Sequence, residues 1–213
     1  MKAIVIAKEP VAGRVKTRLC PPCDPSEAAA IAEAALADTL DAVAAAPFDE
    51  RVVVLDGRPG RWLPPGMHVA PQRGVGLDER LAAAIDDVAV PALLIGMDTP
   101  QLTSSDLAAA ATALAADDLD AVLGPAVDGG WWAIGLRRSD PEVFLGVPMS
   151  TSATGAAQLA RLRARGFRVG ALPTVRDVDT FDDARTVAGL APHGRFVRAV
   201  DQVVGRLGVE VPV

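Results

Sequence analysis

The chain has 213 residues, half of them hydrophobic, 23% charged and 4% aromatic, with a formal net charge of −6. That composition excludes a disordered or fibrous chain, and the length suits one domain. The acidic balance argues against general nucleic-acid binding, and no apolar run reaches the ~18 residues a membrane span needs.

The N-terminal run Met1–Ala7 is too short for a signal-peptide core and leads straight into Lys8-Glu9-Pro10, so a cytoplasmic protein is expected. Ala3–Ala7 is continuously apolar, the pattern of a strand buried on both faces. A loop rich in Gly, Pro and positive charge follows, up to about Cys23. Asp24-Pro25-Ser26-Glu27 then reads as a helix start, with Asp24 as N-cap, Pro25 at the first helical position and Glu27 closing a capping box. This helix carries Ile31, Leu36, Leu40 and Val43 and should end before Pro47.

The alternation repeats. Strands are expected at residues 51–55 and 67–70, then a helix over 77–88 and another buried strand at 92–96. A helix over 103–116 begins with Ser104, Ser105 and Asp106 in its first turn. Strands at 121–124 and 131–136 flank Pro125-Ala-Val-Asp128-Gly-Gly130. A helix over 151–165, a strand over 168–172 and two short helices complete the chain. Alternating strands and helices predict a mostly parallel sheet covered on both faces, with ligands bound at the carboxyl ends of its strands.

Four strand-end segments carry chemistry. The first, Lys8-Glu-Pro-Val-Ala-Gly13-Arg14-Val-Lys16-Thr17-Arg18-Leu19, lies in the stretch 1–18 that holds a net charge of +4 on an otherwise acidic chain. Gly13 permits close backbone approach, and Lys16 and Arg18 suit phosphate oxygens. It is neither a Walker loop nor a dinucleotide fingerprint. The second, Gly96-Met97-Asp98-Thr99-Pro100, sets a carboxylate beyond a buried strand, where Mg²⁺ bridging phosphates is one use. Helix capping is the blander use, but Thr103 or Ser104 suits that better. The third places Asp128 before Gly129-Gly130, as a site residue or as a plain turn former. Trp131 and Trp132 follow and must face opposite sides, so at most one lines a site. In the fourth, Arg176-Asp177-Val178-Asp179-Thr180, one Asp suits a metal and another a helix cap, and spacing does not separate the two tasks.

Cys20 and Cys23 form a CPPC spacing. Zinc would need further ligands, and His68 and His193 are far away in sequence, so the pair reads as incidental thiols, with a redox pair as the alternative.

Taken together and in register, these motifs resemble a bacterial family of small glycosyltransferases with the GT-A nucleotide-diphospho-sugar transferase fold. Members have been assigned to arsenosugar biosynthesis, and the wider superfamily includes molybdenum-cofactor and phospholactate nucleotidyltransferases. The resemblance spans residues 1 to about 187 and departs at Met97, where a small residue is usual, and at Trp131, where Tyr is common. It implies a single three-layer α/β/α domain over residues 1–190 with a mostly parallel, mixed sheet, and a helical extension of that domain over 191–213. It implies that Lys8, Gly13, Arg14, Lys16 and Arg18 hold phosphates, and that Gly74, Gly76 and Arg80 lie near the base. Asp98 and Asp179, with Asp177 as the weaker choice, would bind Mg²⁺ or Mn²⁺. Lys16 and Asp128 are the candidate catalytic residues; the motifs do not name a general base, and Asp128 is our choice for it. The expected activity is sugar transfer from a nucleotide-diphospho-sugar to a small-molecule acceptor. Nucleotidyl transfer from an NTP, as in guanylyltransferases, is the alternative, and an inactive nucleotide-binding homologue a third. A homodimer through the C-terminal tail is a secondary expectation.

Overall fold

A computed structural model describes residues 1–191 and 193–208. Seven strands are formed by Lys2–Lys8 (β1), Glu50–Asp56 (β2), His68–Pro71 (β3), Ala92–Ile95 (β4), Ala121–Pro125 (β5), Trp131–Leu136 (β6) and Val169–Ala171 (β7). Six helices are formed by Pro25–Ala45 (α1), Leu77–Val88 (α2), Ser104–Ala115 (α3), Thr154–Ala164 (α4), Phe181–Leu190 (α5) and Arg195–Leu207 (α6). The strands make one sheet in the order β3-β2-β1-β4-β6-β5-β7. All neighbours are parallel except those of β6, which runs antiparallel to both β4 and β5.

The period-two pleat divides β1 between two cores. Ala3, Val5 and Ala7 face the layer built by α1 and α3, through Leu36, Leu40, Val43, Leu107 and Leu114. Ile4 and Ile6 face the layer built by α2 and the α4 region, through Leu81, Ile85, Phe144 and Leu162. A strand covered on both sides has no polar face to offer, which is why Ala3–Ala7 carries no alternation.

Helix α1 is itself covered on two sides. Its Leu36, Leu40 and Val43 meet the sheet, while Ile31, Ala28 and Ala35 meet Val178, Phe181, Phe196, Val200 and Val203 of the α5–α6 region. A helix held between two layers is apolar around most of its circumference, which explains its long Ala-rich sequence. Its start is the expected capping box: Asp24 accepts from the Ser26 and Glu27 N–H groups, and Glu27 accepts from Asp24 N–H.

Three local expectations are corrected. Helix α4 begins at Thr154, not Thr151, because Thr151 is folded into a turn in which its N–H donates to Thr154 Oγ1. Neither Asp177 nor Asp179 caps α5, since Thr180 caps it, paired with Asp183 in a capping box. Single 3-10 turns at Thr17–Leu19 and Pro141–Val143 fall in segments expected to be loop. The tail expectation for Pro192 and residues 209–213 lies outside the described residues, while α6 packs on α1 and α5. No helix among the described residues is long and apolar enough to cross a membrane.

Candidate functional site

At the carboxyl ends of β1 and β4 lies a cavity of about 450 Å³, within the size range of small-molecule sites. Its walls bring together segments far apart in sequence: Lys8 and residues 14–18, Gln72, Leu77 and Leu81 of α2, residues 96–98, Gly130 and Trp131, residues 149–151, Asp177 and Asp179.

Long-range backbone pairing assembles the acidic side. A bridge joins Ala126 to Val175, with Val127 N–H on the Val175 carbonyl and Val175 N–H on the Pro125 carbonyl. Val178 N–H then donates to the Asp98 carbonyl at 3.1 Å. The 175–179 segment is thereby hung between the β5–β6 hairpin and the β4 exit. Gly129 makes the hairpin possible: its φ is +91°, and a Cβ there would collide with the Ser152 carbonyl, where the loop ahead of α4 closes over it. Asp128 does act as a turn former, accepting the Gly130 N–H at 2.7 Å.

This arrangement gathers a carboxylate trio. Asp128, Asp177 and Asp179 each offer an oxygen within 4.8 Å of the other two, the one such group among the described residues. Burial, followed by the charges of Asp128 and Asp179, pushes the Asp177 carboxyl up to about 6. The site therefore holds more negative charge than it can comfortably ionise. An all-oxygen donor set with that excess suits a hard divalent cation such as Mg²⁺ or Mn²⁺, and it offers none of the nitrogen or sulfur donors of a structural zinc site.

The cationic side is built by the loop after β1. Lys16 adopts a left-handed backbone (φ 46°, ψ 39°) just ahead of the Thr17–Leu19 turn, and its side chain, 12% exposed, lies between two carboxylates. Its Nζ is 2.8 Å from Asp98 Oδ2 and 3.0 Å from Asp179 Oδ1. Burial disfavours the ammonium, but the charges of Asp98 and Asp179 outweigh it and raise its pKa above the ordinary value. Arg18 reaches Asp179 Oδ2 at 3.2 Å with most of its guanidinium in solvent. Lys8 and Arg14 also line the cavity, and Lys8 N–H contacts Met97 Sδ at 3.2 Å. Gly13, with φ +76°, shapes this loop without lining the cavity.

The expected site residues thus separate into groups. Lys8, Arg14, Lys16, Arg18, Asp98, Asp177 and Asp179 share the cavity. Asp98 faces Lys16 and stands outside the carboxylate trio, whereas Asp128, expected as a base, stands within it. Gly74, Gly76 and Arg80 do not line the cavity: Arg80 is held by Asp56 at 3.1 Å and by Gln72 Oε1 at 3.2 Å. Gln72 reaches the cavity in their place, its amide donating to the Ala7 carbonyl at 2.8 Å. The sequence reading also missed Met149, Ser150 and Thr151 of the loop ahead of α4 and Thr154, the first residue of α4, all of which line the cavity. The signal was the Gly129-Gly130 and Thr154-Gly155 pair, small residues where two backbones meet, with Gly155 N–H on the Gly129 carbonyl.

An apolar wall completes the cavity, with Ile6, Leu81, Trp131 and Met149 continuous with the α2-side core. As the pleat requires, the two tryptophans diverge. Trp132 is buried with its indole N–H on the Pro173 carbonyl, whereas Trp131 lines the cavity with a buried indole N–H that has no partner. Cys23 is buried, and burial, then Glu27 and Cys20, pushes its thiol up to about 11, a poorly nucleophilic state.

Comparison with solved structures shows the same fold. The chain is similar to a protein from Desulfovibrio desulfuricans G20 provisionally classed as a nucleotide-diphospho-sugar transferase, at 26% identity and a TM-score of 0.83 over 96% of this chain and 97% of that one. More distant likenesses of fold include Rv0371c of Mycobacterium tuberculosis H37Rv in complex with manganese (21% identity, TM-score 0.51, 87% and 96% covered). Another is CMP:2-keto-3-deoxy-manno-octonic acid synthetase in complex with CTP (13% identity, TM-score 0.56, 94% and 99% covered). No curated protein matches the sequence. A family model does match, over residues 30–151, more than half of the chain, and the protein belongs to that family, DUF2064, described as uncharacterized and conserved in bacteria.

Proposed function

We propose that the protein is a divalent-metal-dependent transferase acting on a nucleotide-activated substrate, and specifically a glycosyltransferase using a nucleotide-diphospho-sugar. The observation that carries this reading is the meeting of loop cations with Asp98, Asp177 and Asp179 in one cavity at the strand ends, with Asp128, which does not line the cavity, within 4.8 Å of the last two. A diphosphate is the ligand chemistry that uses both, its oxygens taken by Lys and Arg on one side and by a carboxylate-held cation on the other. The similarity to the D. desulfuricans protein supports the same substrate class.

In this reading Asp128, Asp177 and Asp179 hold Mg²⁺ or Mn²⁺, which when bound neutralises charge building on the departing diphosphate. Lys16 and Arg18 take diphosphate oxygens, with Arg14 and Lys8 adding positive potential along the same wall. Asp128 is better accounted for as a third metal carboxylate than as a general base, since it is already tied to its neighbours through the hairpin. The wall of Ile6, Leu81, Trp131 and Met149 gives the cavity an apolar side that excludes water.

Nucleotidyl transfer from an NTP to a phosphorylated small molecule is the second reading. It is favoured by the number of cations lining the cavity, Lys8, Arg14, Lys16 and Arg18, which suits a triphosphate. A thermal-shift panel of the four NTPs and common nucleotide-diphospho-sugars, each with Mn²⁺ and with EDTA, separates the readings. A ligand at ~100 times its Kd adds ~2.7 kcal/mol, a rise of a few degrees for this size of domain. A Mn²⁺-dependent rise with a nucleotide-diphospho-sugar but no NTP is the expected result. A rise with one NTP alone would move the assignment to nucleotidyl transfer. No rise with any ligand would contradict both, and a rise without turnover would indicate an inactive nucleotide-binding homologue.

A further inference from the structure

We propose that Lys16 is a built-in cation that occupies Asp179, one of the metal-binding carboxylates, until a phosphate-bearing ligand draws its ammonium away, so that metal and nucleotide bind cooperatively, a proposal that rests on reading Asp179 as a metal ligand. Both oxygens of Asp179 already face cations: Oδ1 faces Lys16 Nζ at 3.0 Å and Oδ2 faces Arg18 at 3.2 Å. A divalent ion approaching Asp179 must therefore displace an ammonium while being repelled by it, at short range in a partly desolvated cavity. Arg18 is a weak obstacle, with a side chain 71% exposed that can swing into solvent. Lys16 is a strong one, because it is 12% exposed and anchored on its other side by Asp98 at 2.8 Å.

The backbone holds Lys16 to this task. Its left-handed conformation is one that non-glycine residues rarely adopt, and the two ion pairs hold the side chain inward. A phosphate oxygen offers the ammonium a partner of the same charge and hydrogen-bonding capacity as Asp179. Transfer of Lys16 from Asp179 to phosphate then frees one oxygen for the metal and places a second anion beside it. Each ligand strengthens the other by the same factor, as binding linkage requires.

Mn²⁺ alone tests this, with equilibrium dialysis as the readout. Lys16→Met keeps the length of the side chain and removes its charge, and it should bind Mn²⁺ about tenfold more tightly than the wild type. Arg18→Met should change the affinity less. The wild-type chain supplies a second test that needs no variant, because its only lysines are Lys2, Lys8 and Lys16. Brief acylation with acetic anhydride followed by mass spectrometry should find Lys16 protected relative to Lys8, and saturating Mn²⁺ should reduce that protection, because Asp98 alone then holds the ammonium. Lys16→Met binding Mn²⁺ no more tightly than the wild type, or Lys16 acylation unmoved by Mn²⁺ that is demonstrably bound, would overturn the proposal while leaving the metal site standing. If neither protein binds Mn²⁺, the metal reading of Asp128, Asp177 and Asp179 falls, and this proposal with it.

Discussion

Two strand-end segments look alike as sequence and differ in what the fold does with their charges. The loop after β1 and the segment from the end of β3 through the first turn of α2 are both polar and glycine-containing. In the second, the charges are spent within the segment or on its neighbours. Arg80 holds Asp56 and Gln72, Arg73 holds Asp87, the Glu79 carboxylate accepts the Val75 N–H, and Asp78 accepts the Gly146 N–H. In the first, Lys16 reaches carboxylates 82 and 163 positions away, both lining a cavity. A charged, glycine-bearing loop marks a site only when its charges have partners inside a concavity.

That contrast can be broken by substitution, and the largest effect is expected at Lys16. Lys16→Ala should weaken nucleoside-diphosphate binding in the presence of Mn²⁺ by about 100-fold, the scale of a lost charge-assisted hydrogen bond, as read by isothermal titration calorimetry. A change below about threefold would remove Lys16 from the phosphate site.

A middle-sized effect is expected at Asp177, and its sign depends on pH. The folded-state carboxyl protonates near 6 against an ordinary value of 3.8, so folding favours the protonated form. Its contribution is fully present at low pH and is lost as pH rises through about 6. In EDTA, Asp177→Asn should therefore be more stable than the wild type by about 1–2 kcal/mol at pH 7.5, with the gain fading below pH 4. Saturating Mn²⁺ should reverse the order, because the wild type then has a cation to offset the charge and the variant has lost a ligand. Urea unfolding at the two pH values, with and without Mn²⁺, reads all four cases. A variant gain that survives Mn²⁺ would argue against Asp177 as a ligand.

The smallest effect belongs to the other half of the comparison. Arg80→Ala removes partly exposed bonds to Asp56 and Gln72 and should cost less than about 1 kcal/mol of stability. Ligand affinity should move by less than about twofold, within the noise of one lost remote contact. A tenfold loss would instead return the glycine-rich segment to the nucleotide site.

Much of the fold was legible because local chemistry specifies it. Asp24-Pro25-Ser26-Glu27 starts α1 as a capping box at the expected residue, and the α2 bounds, Leu77–Val88, follow from the sequence pattern. The continuous apolar strands announce a sheet buried on both faces. What was not legible depends on pairing between distant segments. Nothing near Asp128 says that the bridge from Ala126 to Val175 will bring it to Asp177 and Asp179. Nothing near Lys16 distinguishes a lysine waiting in solvent from one already held by two carboxylates. The capping of α5 was misassigned for a related reason. Asp and Thr are both favoured caps, and only the hydrogen bonds show that Thr180 takes the position while Asp177 and Asp179 line the cavity.

On the proposed reading, the loop cations and the acidic trio form one metal–diphosphate site. The most direct measurement is calorimetric titration of nucleoside diphosphates into the wild type and Asp179→Asn, each with Mn²⁺ and with EDTA. Binding of at least one diphosphate that weakens about tenfold or more in EDTA, and weakens similarly in Asp179→Asn with Mn²⁺ present, is the predicted result. Binding with the same affinity in all four conditions would place the nucleotide elsewhere and contradict the account.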